Sequence, residues 1–220
     1  LLMTFWGYSM NIKAVFIDFD NTLLRADRTV SDYTVAVLKA CQQRGIKMAF
    51  ATARSLRTAG LVSGFFPWDG GIYYSGGVAI AGRDVVATAH ISRTDALAAV
   101  EAIQHTLPQA IIAAEAQDML YSRHDGFENS AAGKQIREDF SAMPDIPVDM
   151  LVVRKPGLSV AEAQTVASLV PAGLSVHTER SDQLMLTSRQ ATKIAGVVAL
   201  MNHWGIPLLY AAAFGDDMPD

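Results

Sequence analysis

The apolar and polar positions near the start of the chain form its clearest pattern. A short apolar run over residues 14–17 ends abruptly in two carboxylates, Asp18 and Asp20. Side chains alternate along an extended chain, so both carboxylates lie on the same side, close enough to share a cation. The pattern predicts a buried strand of an open α/β sheet, whose sites form outside the carboxyl ends of its strands. From this stretch alone, a strand followed by a simple polar turn remains the alternative.

The next segment completes a strand–helix–strand unit. Ser31 is a helix N-cap, apolar positions recur after it at helical spacing, and Gly45 follows as the residue that ends the helix. A second apolar run over residues 46–51 predicts another buried strand. Two strands joined through a helix are parallel with a right-handed crossover. Thr52 is therefore expected at the same sheet edge as Asp18.

The remaining pattern predicts the other helices and strands. Helices are expected over residues 55–66, 94–106, 130–140, 160–170 and 191–203. Strands are expected over residues 72–74, parts of 111–121, 148–153, 174–178, 183–187 and 207–214, with a hairpin over 78–91. Residues 75–187 are therefore predicted to be an α+β module inserted into an α/β core made of residues 10–74 and 188–220.

Composition limits the classes of partner and compartment. Half of the 220 residues are hydrophobic and 18% are charged, which favours a folded globular protein over disorder. The net charge of −4 gives no electrostatic reason to expect nucleic acid or an anionic membrane as a partner. Cys41 is the only cysteine, no apolar run is long enough to span a bilayer, and the first nine residues lack the features of a signal peptide. We therefore expect a cytoplasmic protein.

Polar residues collect at one predicted sheet edge. Three predicted strands end there in Asp18 and Asp20, in Thr52, and in Asp216, Asp217 and Asp220. Lys193 lies in the first turn of the helix before the last of these strands, where the helix dipole disfavours a cation. A charge that is locally unfavourable often has a functional reason. Taken by itself, Lys193 is better explained as an ordinary surface lysine.

The run Asp18-Phe-Asp-Asn-Thr22 resembles the Asp-x-Asp-x-Thr motif of haloacid dehalogenase (HAD) superfamily phosphotransferases. Thr52, Lys193 and the Gly215-Asp216 pair follow in the order of that family's other motifs. The inserted module resembles the larger α/β cap of the Cof-type, subclass IIB HAD phosphatases. The resemblance implies a HAD-like Rossmannoid core of three layers with a parallel sheet, plus an inserted α+β cap domain.

The resemblance also implies a role for each motif residue. Asp18 would be the nucleophile and a Mg²⁺ ligand. Asp20 would offer its backbone carbonyl to the metal and its side chain as general acid and base. Asp216 would complete the metal site. Thr52, Ala53 and Lys193 would bind the phosphate. Asp217 and Asp220 would orient metal-bound waters or Lys193.

Two features depart from the family pattern. Pro219 stands where the family often has Asn, and Asp217 replaces a residue that is usually small or neutral. Asp217 is predicted to be either an additional ligand or simply a solvated side chain. The family also continues beyond this motif with another strand and helix, so we expect that the natural protein extends past Asp220.

The expected function is a Mg²⁺-dependent phosphatase that hydrolyses a small phosphorylated metabolite, a sugar phosphate or a cofactor phosphate, through an aspartyl-phosphate. The alternatives are a phosphomutase on sugar phosphates and a non-catalytic domain that binds a phosphorylated ligand. Asp20 argues against the non-catalytic alternative, because binding alone needs no second carboxylate there. In the inserted module, the candidates for contacting an anionic substrate are Arg123, His124, Arg154 and Lys155, although an ordinary solvated surface explains these charges better. The sequence leaves the substrate and the oligomeric state open.

Overall fold

The computed structural model describes residues 2–5, 8–122, 124, 127, 135–136 and 144–216. The chain divides into two compact units. The first unit combines Leu1–Thr88 with Thr192–Asp220, and the second unit is Ala89–Ala191. Each unit has its own sheet and its own hydrophobic core.

The described strands and helices follow in chain order. The strands are β1 (Leu2–Phe5), β2 (Tyr8–Asn11), β3 (Ala14–Ile17), β4 (Lys47–Ala51), β5 (Gly70–Tyr73), β6 (Val78–Ala81), β7 (Asp84–Thr88), β8 (Ile111–Ala116), β9 (Met119–Tyr121), β10 (Gln135–Ile136), β11 (Met150–Arg154), β12 (Leu174–Arg180), β13 (Gln183–Ser188) and β14 (Ala211–Phe214). The helices are α1 (Asp32–Gln43), α2 (Leu56–Ser63), α3 (Arg93–Thr106), α4 (Val160–Leu169) and α5 (Lys193–His203).

A hydroxyl cap fixes where each of these helices begins. The side chain before the first helical residue accepts a backbone N–H of the first turn in all five, from Ser31, Ser55, Ser92, Ser159 and Thr192. Such a cap satisfies one of the N–H groups that a helix start leaves without an intrahelical partner. The predicted cap at Ser31 is confirmed.

The first unit is a three-layer α/β structure. Its sheet has the strand order β14-β3-β4-β5-β6-β7, in which β14, β3, β4 and β5 are parallel neighbours. Successive residues of β3 point to opposite faces of the sheet. Phe16 packs in a cluster with Leu200 of α5, and Ile17 packs in a cluster with Leu38 of α1. Helices therefore cover both faces of the sheet, and the predicted Rossmannoid core is confirmed.

The hairpin of β6 and β7 belongs to the first unit, and its predicted place in the inserted module was wrong. β6 pairs antiparallel with β5, with Ile72 opposite Ala79, and β7 pairs with β6. The second unit therefore begins at Ala89 and ends at Ala191, not at residues 75 and 187. Alternation of apolar residues predicts a hairpin, but it does not indicate which sheet edge the hairpin joins.

The second unit is an α+β layer. Its sheet order is β10-β9-β8-β11-β13-β12, in which the β9–β10 pair is parallel and the other neighbours are antiparallel. Ile103 of α3, Leu151 of β11 and Val166 of α4 share one buried cluster, so both helices cover the same face. This unit is the predicted α+β insertion.

Two predicted elements differ from the structure. The prediction of a helix over residues 130–140 was wrong at Gln135–Ile136, which form β10. The other residues of that range lie outside the described part of the chain. The strand over residues 207–214 is shorter, because Leu208–Tyr210 form a 3₁₀ turn before β14. Short apolar runs carry no period long enough to separate a strand from a helical turn.

Within the described residues, no helix combines the length and the apolar character needed to cross a membrane.

Candidate active site

A buried phenylalanine lies between the two acids of the first motif, just past the carboxyl end of β3. Phe19 is fully buried and stacks on Phe50, with ring centroids 4.4 Å apart. A π-helical turn over Phe19–Leu23 follows Asp18, so Asp18 precedes this turn and Asp20 lies within it. Asp18 is buried, whereas half of the Asp20 side chain is exposed. Asn21 then reverses the chain with a left-handed backbone, φ 60°.

Asp18 forms a buried ion pair with Lys193. The Lys193 ammonium donates to Asp18 Oδ1 at 2.8 Å, and both side chains are about nine-tenths buried. Lys193 is the first residue of α5, directly after the cap residue Thr192. A cation is unfavourable at a helix N-terminus, and a facing carboxylate at this distance offsets that cost. The ion pair explains why a lysine is tolerated here.

Arg54 holds Asp20 in place, and this role was not predicted from the sequence. Its Nε and Nη2 donate to the two carboxylate oxygens of Asp20 at 2.8 and 2.6 Å. This two-point contact fixes the orientation of the carboxylate as well as its position. A charged residue just beyond a predicted strand end was a usable signal. No spacing rule, however, connects residues 34 positions apart.

Thr52 and Ala53 lie just past the end of β4, next to the acids that follow β3. The two strands pair in parallel register, with Ile17 opposite Phe50. Thr52 is fully buried, and its hydroxyl accepts the backbone N–H of Arg54 at 3.2 Å. The structure therefore places this loop at the sheet edge where Asp18 lies.

Asp216 reaches the same edge from β14. β14 pairs in parallel with β3, and the Asp18 N–H donates to the Phe214 carbonyl at 2.9 Å. The Thr22 hydroxyl donates to Asp216 Oδ1 at 3.4 Å, which links the first motif to the last strand. Asp217 and Asp220 lie outside the described residues.

The assembled site brings three carboxylates together with two cations. Asp18, Asp20 and Asp216 face Lys193 and Arg54 at one end of the sheet. Where the chain is described, no three His, Cys, Asp or Glu side chains are grouped closely enough to form a ready-made metal site. A divalent cation would offset the excess negative charge and allow an anionic phosphate to approach, as phosphoryl-transfer chemistry requires.

The first unit, with its acids after parallel strands, and the inserted second unit define the HAD-like fold. The sequence model of the haloacid dehalogenase-like hydrolase family matches residues 15–220. The chain belongs to this family. No curated protein matches the sequence significantly.

Solved structures share the fold at low sequence identity. A HAD superfamily phosphatase from Bacteroides thetaiotaomicron, BT1666, is 19% identical with a TM-score of 0.78, and the match covers 96% of this chain and 79% of that chain. A haloacid dehalogenase-like hydrolase from B. subtilis is 18% identical with a TM-score of 0.78, covering 95% and 85%. A subclass IIB sugar phosphatase, BT4131, is 17% identical with a TM-score of 0.73, covering 91% and 79%. The resemblance to the Cof-type, subclass IIB proteins is confirmed at the level of family and fold.

Proposed function

We propose that this protein is a Mg²⁺-dependent phosphatase that hydrolyses a small phosphorylated metabolite through an aspartyl-phosphate. The observation that carries the proposal is the cluster of Asp18, Asp20, Thr52, Lys193 and Arg54 at one sheet edge. It combines a buried carboxylate, a second oriented carboxylate and two fixed cations. These are the groups that transfer of a phosphoryl group to a carboxylate needs.

In the first half-reaction, Asp18 acts as the nucleophile. A carboxylate oxygen of Asp18 forms a bond to phosphorus while the bond from phosphorus to the leaving oxygen breaks. Protonated Asp20 gives its proton to that leaving oxygen, and the dephosphorylated alcohol departs. Lys193 offsets the negative charge that gathers around Asp18 and the phosphoryl oxygens.

In the second half-reaction, Asp20 acts as a base. It takes a proton from a water molecule, whose oxygen forms a bond to phosphorus as the bond to Asp18 breaks. Inorganic phosphate is released, the Asp18 carboxylate is regenerated, and Asp20 is again protonated. Arg54 keeps Asp20 oriented toward the reacting atoms in both steps.

The residues suit Mg²⁺. Asp18 and Asp216 follow neighbouring parallel strands, and their oxygens are the hard ligands that Mg²⁺ prefers. Mg²⁺ takes few carboxylates and keeps several waters, so two acids with the Asp20 carbonyl form an adequate set. When bound, the ion supplies positive charge that lets an anionic phosphate approach an anionic nucleophile.

The proposed substrate class is supported by the family and by a structural neighbour. The structurally similar BT4131 is a sugar phosphatase, which favours a sugar phosphate, and a cofactor phosphate remains within the same class of small phosphate esters. Phosphate is then the one group that every substrate shares, and it is the group that Thr52, Ala53 and Lys193 are proposed to bind.

The test is release of phosphate from a panel of sugar and cofactor phosphates. We expect turnover with Mg²⁺, loss of turnover with a chelator, and recovery when Mg²⁺ is added back. Calcium should substitute poorly, because its larger and looser shell misplaces the nucleophile. Full activity in the presence of the chelator would contradict the metal requirement.

The same assay separates hydrolysis from the alternatives. Hexose 1-phosphates supplied with a bisphosphate primer would be isomerised by a mutase faster than phosphate appears. Binding of phosphate without turnover on any substrate would favour a non-catalytic domain. We expect release of free phosphate without isomerised sugar, and we expect Asp20→Ala to abolish this release.

A further inference from the structure

The turn between β5 and β6 has an unusual backbone. Tyr74, Ser75 and Gly76 all have positive φ, at 51°, 57° and 110°. Side chains other than glycine rarely adopt this region, and Tyr74 is also fully buried. Such a conformation costs free energy and persists only where the surroundings hold the chain in place.

On one side, the turn holds the loop that follows β4. The Ser75 N–H donates to the Thr52 carbonyl at 3.1 Å, and the Tyr74 N–H donates to the Arg54 carbonyl at 3.0 Å. Two consecutive amides of the turn therefore fix the backbone of Thr52, which is proposed to bind phosphate, and of Arg54, which orients Asp20.

On the other side, the turn packs against the start of α5. A Cβ atom built on Gly76 would lie 2.6 Å from Thr192 N and closer still to the Thr192 carbonyl. These are backbone atoms that cannot rotate away. Thr192 caps α5 and directly precedes Lys193, so only glycine allows the helix start to approach this closely.

We propose that the turn Tyr74–Gly76 is a positioning element that sets the spacing between the two phosphate-binding groups, Thr52 and Lys193. Gly76 is the positioning residue that packs the turn against the start of α5. The N–H groups of Tyr74 and Ser75 hold the loop that follows β4. This inference rests on the proposed phosphatase function. Its physical basis is that a displacement of about 1 Å in a positioned group can cost about 100-fold in rate.

The test compares Gly76→Ala with Gly82→Ala. Gly82 also has positive φ, at 59°, and lies in the same unit, but nothing lies within 4 Å of the position its Cβ would take. Both changes place alanine at positive φ, and only Gly76→Ala pushes on α5. With a small generic phosphate ester, we expect kcat/KM about 100-fold lower for Gly76→Ala, with a raised KM and weaker binding of orthovanadate. Gly82→Ala should stay within about twofold of the wild type, the effect expected where no contact changes.

A double-mutant cycle tests whether Gly76 acts through Lys193. If it does, Lys193→Ala costs less activity in the Gly76→Ala protein than in the wild type, because the lysine is already misplaced there. Full additivity of the two losses would overturn the proposed role of Gly76. A purely structural glycine would lower stability without producing this coupling.

Hydrogen exchange tests the positioning without any activity. We expect Gly76→Ala to speed amide exchange in peptides covering residues 51–56 and 190–196, and Gly82→Ala to affect neither peptide. If the wild type neither hydrolyses esters nor binds orthovanadate, the proposed function fails, while this exchange pattern still decides the positioning. Exchange that changes at neither segment would overturn the inference.

A second variant covers the case in which Gly76→Ala does not fold. Ser75→Val keeps the N–H that binds Thr52 and leaves Gly76 unchanged, but a β-branched side chain strongly disfavours φ of 57°. We expect lower kcat/KM and faster exchange over residues 51–56. A folded Ser75→Val protein with wild-type values of both would overturn the role of the turn.

Discussion

At the scale of single residues, one buried ring anchors the first motif. Phe19 is buried against Phe50 and lies between Asp18 and Asp20 in the chain. The burial of an aromatic ring contributes about 2–3 kcal/mol, which holds the backbone between the two acids in place. The structure then gives each acid its own cation, so the two carboxylates are distinguished by their partners.

Replacing Asp18 tests the nucleophile. Asp18→Asn should lower turnover by at least about 1,000-fold and leave folding and substrate binding largely intact, since the amide is nearly isosteric but a poor nucleophile. Asp27→Asn, at an exposed acid that only binds Thr29, is the matched control and should keep full activity. Steady-state phosphate release measures both. More than a trace of turnover in Asp18→Asn would contradict a covalent mechanism.

Replacing Arg54 tests the orientation of Asp20. Arg54→Ala should lower kcat about 100-fold for an alkyl phosphate, whose leaving oxygen needs a proton, and much less for an activated aryl phosphate. Arg54→Lys should fall between, because lysine keeps the charge but loses the two-point contact. Arg44→Ala, at an exposed residue after α1, controls for loss of an arginine. Equal losses on both esters would argue against this role.

At the scale of elements, Asp69 ties α1 and β4 to the start of β5. Its carboxylate accepts from Gln42 Nε2, Lys47 Nζ and Met48 N at 3.0, 2.9 and 3.0 Å. Burial raises the pKa of Asp69, but these donors together outweigh burial and hold the pKa below its usual value. The folded state therefore favours the ionised form, and this carboxylate stabilises the fold above the unfolded pKa of about 4.

The consequence is a pH-dependent loss in Asp69→Asn. At pH 7 we expect the free energy of unfolding to fall by about 1–2 kcal/mol, because an amide cannot accept from all three donors. The difference from the wild type should shrink as the pH falls below about 4 and through the folded pKa, where the wild-type carboxylate takes up a proton. Urea denaturation at pH 7 and pH 3.5 measures this. Asp84→Asn, at an exposed acid of β7, should change stability little at either pH.

At the scale of the whole molecule, the two units divide the work in our proposal. All described residues of the candidate site lie in the first unit, and the second unit is the inserted cap. Within that cap, Arg154 is held by Gln183, whose Oε1 accepts from Nε at 2.9 Å, and its guanidinium lies 4.7 Å from the Phe127 ring centroid. A side chain fixed in this way is suited to choosing among substrates. Arg123, another predicted candidate, lies outside the described residues.

Replacing Arg154 tests this division. Arg154→Ala should change the ratio of kcat/KM values between sugar phosphates by about tenfold and leave a small generic ester nearly unaffected. Lys155→Ala is the matched control, because this neighbouring cation instead pairs with Glu162 at the start of α4. Equal losses on every substrate, the generic ester included, would count against a specificity role for Arg154.

The sequence by itself determined the features whose causes are local. The apolar run before Asp18, the hydroxyl cap at Ser31 and the helical period that follows it are properties of neighbouring residues. Patterns of this kind along the chain were enough to predict an α/β core, an inserted α+β module and the sheet edge where polar residues gather. The resemblance of ordered motifs added the three-layer arrangement and the roles of those polar residues.

Only the tertiary structure decided the features that depend on distant residues. The contact of Arg54 with Asp20, the sheet that β6 joins, and the packing of Gly76 against Thr192 each connect parts of the chain that no local period relates. Their geometry is set by how α5 and the strands pack, because packed elements leave room for one backbone separation and one set of side-chain partners.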